Sequence, residues 1–157
     1  MKRDHPDEWE ALATTELSFW DEGVQELGDR ALEFFKVKTT PTFRLDSGGR
    51  LVQVTFNNMQ RCSWPSGGLE ETARVYKSLK LFETLCRSDE FMINTKLKDG
   101  DIVIVDNMRV MHGRRGYTFS GDEGRHVEGG YLDWDEIHSK INVLRHKLKT
   151  GKQIIGF

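Results

Sequence analysis

Residues 101–131 read DIVIVDNMRVMHGRRGYTFSGDEGRHVEGGY, and the fold and chemistry of the chain turn on this stretch. Asp101–Asp106 is a short apolar run of isoleucine and valine between two acids, the composition of a strand. A polar turn ends it, His112 follows, and Arg125 opens a second strand-like run, 125–132. If the two runs are neighbouring antiparallel strands, the connection 107–124 returns Arg125 near His112. An imidazole at the mouth of a sheet suits iron, zinc or copper. A fixed guanidinium offers two parallel donors to a carboxylate. Taken singly, each has a plainer reading: His112 as a surface histidine, and Arg125 as a surface arginine in a salt bridge.

Working outward, Glu90–Leu97 also reads as a strand, joined to 101–106 through Lys98-Asp99-Gly100. Upstream, Leu69, Ala73, Tyr76, Leu79, Phe82 and Cys86 recur every three or four residues, which predicts a helix over 69–87 with one apolar face. The runs 33–38, 42–46 and 51–56 alternate apolar and polar residues. With the turn Ser47-Gly48-Gly49-Arg50 between them, 42–56 reads as a β-hairpin. Asp4-His5-Pro6-Asp7-Glu8 predicts a helix start capped by Asp4 and continuing to about Thr14. Asp133-Trp134-Asp135-Glu136 has the form of a capping box, and Ile137, Ile141, Leu144 and Leu148 stripe a last helix. The expected class is α+β: mostly antiparallel β with flanking helices.

A chain of 157 residues suits one domain or a piece of one. The 23 Lys and Arg against 25 Asp and Glu are interspersed, so no basic stripe points to nucleic acid. A mean hydropathy of −0.58 and the lack of a long apolar run give no membrane span to read. Cys62 and Cys86 are isolated and fit no metal or redox spacing. Reduced thiols in a cytoplasmic protein are the expectation, or in a mitochondrial one if a targeting segment lies upstream.

The words D-N-M-R-V-M-H-G-R-R-G-Y and R-H-V-E-G-G-Y-L-D-W-D, with L-V-Q-V-T-F-N-N at Leu51–Asn58, resemble the C-terminal part of the gamma-butyrobetaine dioxygenase family, among the iron(II)- and 2-oxoglutarate-dependent oxygenases. The resemblance covers about Pro6 to Lys147. It implies a partial double-stranded β-helix, or jelly-roll, with residues 1–157 forming the C-terminal portion of one oxygenase catalytic domain. It implies that His112 is the distal histidine of an iron facial triad and that Arg125 binds the far carboxylate of 2-oxoglutarate. Asn57 would contact the substrate carboxylate, and Tyr131 would form one wall of an aromatic cage around a trimethylammonium group. A quaternary ammonium cannot donate a hydrogen bond and is recognised by cation–π contact and shape. Read without the resemblance, Tyr131 is a core aromatic and Asn57 a turn residue.

The implied reaction is hydroxylation of gamma-butyrobetaine to L-carnitine. Iron(II) would be the cofactor, 2-oxoglutarate the co-substrate and ascorbate an accompanying reductant. A homodimer is also implied.

The sequence departs from that pattern in three respects. A facial triad needs two histidines and a carboxylate, and the family's upstream H-x-D pair is absent, as are its N-terminal domain and the tyrosines and tryptophan that complete the aromatic cage. His5-Pro6-Asp7 has the right letters but reads as a helix cap. His126-Val127-Glu128 reads as a structural polar pair. Little or no catalysis is therefore expected of the chain alone. Three alternatives stand beside this one. The chain could resemble trimethyllysine dioxygenase instead. It could be a truncated, non-catalytic relative acting as a binding partner. Or it could be an α+β domain that takes a small anion through Arg114, Arg115 and Arg125.

Overall fold

In the computed structural model the described residues are 1–63, 65, 67–116 and 126–151. They fall into two compact units, Met1–Arg114 and Arg115–Phe157. The first opens with helix α1 (Pro6–Thr14), whose proline lies in the first turn, where a missing N–H costs nothing. The cap position is His5, not Asp4, and no side chain bonds the helix end. Asp4 instead pairs with Arg3, whose Nε donates to Asp4 Oδ1 at 2.7 Å.

Strands β1 (Glu16–Leu27) and β2 (Arg30–Pro41) form one antiparallel hairpin in continuous register from Glu16↔Pro41 to Leu27↔Arg30. The two-residue connection places Gly28 first, at φ 61°, where a two-residue hairpin turn needs a residue free to take positive φ. The expected strand 33–38 is thus part of a ribbon twice as long. Strands β3 (Phe43–Leu45) and β4 (Leu51–Val54) make the second hairpin, as the alternation over 42–56 predicts. Its turn is organised by Asp46, whose Oδ1 accepts from the Gly48 and Arg50 amides, both at 2.9 Å. Helix α2 (Leu69–Cys86) follows, within a residue of its predicted span.

The core lies where α1, α2 and the two hairpin roots meet. Leu12, Leu17, Phe19, Phe43, Val75 and Leu79 are buried together, with Trp9, Phe56 and Phe82 packed against them. Phe43 stands between Trp9 (ring centroids 4.7 Å apart) and Phe82 (5.0 Å, edge to face), a geometry that aromatic quadrupoles favour. At the rim, Lys77 of α2 bridges to Glu8 of α1 at 2.8 Å.

Two expectations are corrected here. Residues 90–97 and 101–106 form no strand, although the turn between them is present, with Asp101 donating its amide to the Lys98 carbonyl at 3.0 Å. Residues 126–132 form no strand either, and Arg125 lies outside the described residues. The physical reason is pairing. A strand exists only as part of a ladder, and no neighbouring strand is available to these runs among the described residues. Their apolar side chains stay in solvent, with Ile102 and Ile104 85% and 90% exposed. The class is α+β with antiparallel strands, but the described residues form two separate two-stranded sheets and assemble no jelly-roll.

The second unit contains helix α3 (Trp134–Thr150), capped at its C-terminus by Gly151 at φ 67°. Asp133 occupies the N-cap position but makes no side-chain cap bond, so the capping box is not formed. None of its residues is buried.

Candidate functional site

Strand β4 delivers Asn57 to a tight turn. The Asn57 Oδ1 accepts the Met59 amide at 3.0 Å, the local side-chain-to-backbone bond that asparagine favours in turns. Its Nδ2 donates to Gln60 Oε1 at 2.7 Å, and Gln60 Nε2 donates to Asp21 Oδ1 of β1 at 3.0 Å. The backbone beyond the turn lies beside β1 as well. Trp20 donates its amide to the Gln60 carbonyl at 2.9 Å, and Cys62 donates to the Ser18 carbonyl at 2.8 Å.

Arg61, bridged to Phe19 across this pairing, places its guanidinium 4.9 Å from the Tyr76 ring centroid and donates from Nη2 to Asn58 Oδ1 at 3.2 Å. Its Nε and Nη1 are buried without a hydrogen-bond partner. Stacking on Tyr76 compensates part of that burial, because a guanidinium over an aromatic face is attracted by the ring quadrupole.

The segment that carries His112 is tied to the same strand. Val54 of β4 donates its amide to the Met108 carbonyl at 2.8 Å. Met108 sits in a turn built by Asp106, whose side chain accepts the Met108 amide at 3.0 Å and whose carbonyl accepts those of Arg109 and Val110 at 2.9 Å each. The structure therefore joins the strand leading to Asn57 with the turn leading to His112. Both Asn57 and His112 are exposed. Tyr131 belongs to the other unit and is 85% exposed.

A metal finds little here. Among the described residues no three His, Cys, Asp or Glu side chains converge in a way that could hold an ion. His112 supplies one imidazole, and a facial triad requires three ligands. His126 and Glu128 form the polar pair expected of them, Nε2 to Oε1 at 3.0 Å, fully in solvent. His5 stands at the start of α1. The described residues do not make an iron site by themselves.

Sequence reasoning did not single out Gln60, Asp21 or Arg61. For Gln60 a signal existed: a polar residue three positions beyond an asparagine in a turn is within reach of its amide. For Asp21 there was none, because 39 residues separate it from Gln60.

Comparison with known proteins gives a consistent picture. A sequence model described as "Taurine catabolism dioxygenase TauD, TfdA family" matches residues 1–131. The chain is 32% identical over 151 residues to the human (Homo sapiens) gamma-butyrobetaine dioxygenase, covering 96% of this chain and 38% of that protein. It is 32% identical over 108 residues to the gamma-butyrobetaine dioxygenase of Pseudomonas sp., covering 68% and 27%. It is 25% identical over 147 residues to the trimethyllysine dioxygenase of Meyerozyma guilliermondii, covering 92% and 34%. The chain thus spans well under half the length of each of these relatives.

Proposed function

The chain belongs to the TauD/TfdA dioxygenase family, and from that premise we propose that it supplies the C-terminal portion of an iron(II)- and 2-oxoglutarate-dependent dioxygenase domain that hydroxylates gamma-butyrobetaine. In this reading the complete domain is a jelly-roll, and the unpaired runs 90–97 and 101–106 are strands of it. The observation that supports the reading is the 32% identity to the human gamma-butyrobetaine dioxygenase over 96% of this chain, a span that takes in Asn57, His112, Arg125 and Tyr131.

Each residue then has a defined task. The Asn57 amide, already held in its turn, donates to the substrate carboxylate. The face of Tyr131 attracts the trimethylammonium end. Arg125 grips the distal carboxylate of 2-oxoglutarate with two parallel donors. His112 is one of three iron ligands, and among the described residues no three His, Cys, Asp or Glu side chains converge to complete the set. Bound iron with 2-oxoglutarate would supply the oxidising chemistry. This chain's part is to hold both carboxylates and the ammonium so that the reacting carbon is fixed in place.

The test is a chimera. The C-terminal part of the human gamma-butyrobetaine dioxygenase is replaced by residues 1–157, and product is measured with gamma-butyrobetaine and with trimethyllysine. Hydroxylation of gamma-butyrobetaine in preference is expected. Preference for trimethyllysine would replace the substrate assignment, and a folded chimera that turns over neither would reject the reading.

A further inference from the structure

We infer that Gln60 and Asp21 are positioning residues: they fix the Asn57 side chain so that one of its two N–H groups is used internally and the other is aimed at a substrate carboxylate. The inference deepens the reading above and rests on it.

An asparagine or glutamine amide can be turned over, and its orientation is decided by the hydrogen-bond network around it. Here both ends are of fixed polarity. The Met59 backbone N–H can only donate, so the atom of Asn57 that faces it is Oδ1. The Asn57 Nδ2 must then face Gln60, whose Oε1 accepts it at 2.7 Å. That leaves Gln60 Nε2 to donate, and its partner is an Asp21 carboxylate oxygen at 3.0 Å; an ionised carboxylate can only accept. No link can be reversed without placing two donors or two acceptors face to face. The three side chains are thus locked in one orientation by a backbone amide at one end and a carboxylate at the other.

The anchor points are themselves held. Gln60 and Asp21 come from segments paired through the Trp20 amide and the Gln60 carbonyl, with a second bond from the Cys62 amide to the Ser18 carbonyl. The relay is therefore supported by main-chain geometry and not only by exposed side chains. One Nδ2 hydrogen of Asn57 takes no part in it, and Asn57 is exposed. An amide pre-set to offer a donor binds a carboxylate without first losing rotational freedom, which is how preorganisation raises affinity.

The experiment uses the whole 157-residue chain, labelled with nitrogen-15, and follows the Asn57 side-chain NH2 signals, identified by their loss in Asn57→Asp. Gln60→Ala and Asp21→Ala are expected to shift both signals and speed their exchange with water. Asp21→Asn is expected to leave them close to wild type, since an amide oxygen also accepts from Gln60. Backbone amide spectra serve as the check that each variant is folded. Titration with gamma-butyrobetaine is expected to move the Asn57 signals, whereas butyltrimethylammonium, which lacks the carboxylate, leaves them in place. Loss of one aiming bond should weaken the gamma-butyrobetaine response roughly 3- to 10-fold in Gln60→Ala and Asp21→Ala. Asn57 signals indifferent to Gln60→Ala would overturn the relay. Signals that respond to Gln60→Ala but to no carboxylate would overturn the aiming role and count against the proposed function, leaving only a turn-stabilising network.

Discussion

The Val54 amide and the Met108 carbonyl are joined by a 2.8 Å hydrogen bond. It is a single main-chain link between a strand of the second hairpin and the turn that leads to His112. Asn57 lies three residues beyond one end and His112 four beyond the other. Two positions 55 apart in sequence are thereby brought onto connected backbone, although 101–106 itself has no strand neighbour among the described residues.

Phe43 is 1% exposed and touches aromatic rings on two sides. Phe43→Ala leaves a cavity between α1, α2 and the second hairpin. It should cost about 3–5 kcal/mol, measured as a lower urea midpoint with little change in slope. An effect below about 1 kcal/mol would mean that this cluster is not the core.

The Arg50 backbone N–H, then the Arg50 guanidinium and the Gly48 N–H, hold the Asp46 carboxyl below its ordinary range. The Lys77 ammonium acts in the same direction on Glu8. A folded-state pKa below the unfolded one gives stability that is complete above the unfolded value and is lost as pH falls through the folded value. Thermal melts should therefore show the wild type losing stability below about pH 4. Asp46→Ala should start lower and fall less steeply. Parallel curves would remove Asp46 from the account.

Ile102 and Ile104 are almost fully exposed within a run that has no strand partner among the described residues. Such a run is a template for association between chains. Ile104→Lys should reduce concentration-dependent association seen by light scattering, while changing stability by no more than about 0.5 kcal/mol. A large loss of stability would show that Ile104 is packed after all.

With no cluster of three ligands among the described residues, the purified chain should show no saturable uptake of iron(II), or of cobalt(II) as its spectroscopic stand-in, at micromolar metal. Its titration should overlay that of His112→Ala. A tight site abolished by His112→Ala would mean that further ligands assemble around this histidine.

In the chimera, Tyr131→Ala should raise the KM for gamma-butyrobetaine roughly 2- to 30-fold. Tyr131→Phe should leave it nearly unchanged, because the attraction comes from the ring face and not from the hydroxyl. Equal effects of the two substitutions would point to the hydroxyl instead.

Helices α2 and α3 were legible because each has an apolar stripe with a period of three to four residues, seen best at Leu69, Tyr76, Leu79 and Phe82, and α1 was legible from Pro6, Asp7 and Glu8 at its start. The hairpin around Asp46 was legible from its Ser-Gly-Gly turn. The long ribbon was only half seen, since most of Asp21–Lys38 faces solvent on both sides and shows no consistent burial alternation for a pattern to reflect. Residues 90–97 and 101–106 were read as strands from composition. Composition states what side chains favour, whereas a ladder depends on a neighbour that the sequence of the run does not contain. Of the site, Asn57 lies in the turn read for it beyond β4, whereas His112 follows a run that forms no strand and Tyr131, read within the strand 125–132, lies in a segment without one and is 85% exposed. The bonds that orient Asn57 were not legible, because they depend on a strand pairing that brings Asp21 to Gln60.

The β1–β2 ribbon also sets the order in which the molecule comes apart. Its root, at Leu17 and Phe19, is buried and flanked by the backbone of 60–62. Its far end, from Asp21 through the Gly28 turn to Lys38, is mostly in water. A two-stranded ribbon without a covered face has little holding it together, so this end opens and recloses many times for each event that disturbs the root. Slow amide exchange should stop abruptly near Trp20, making that tryptophan the boundary between fraying and true unfolding.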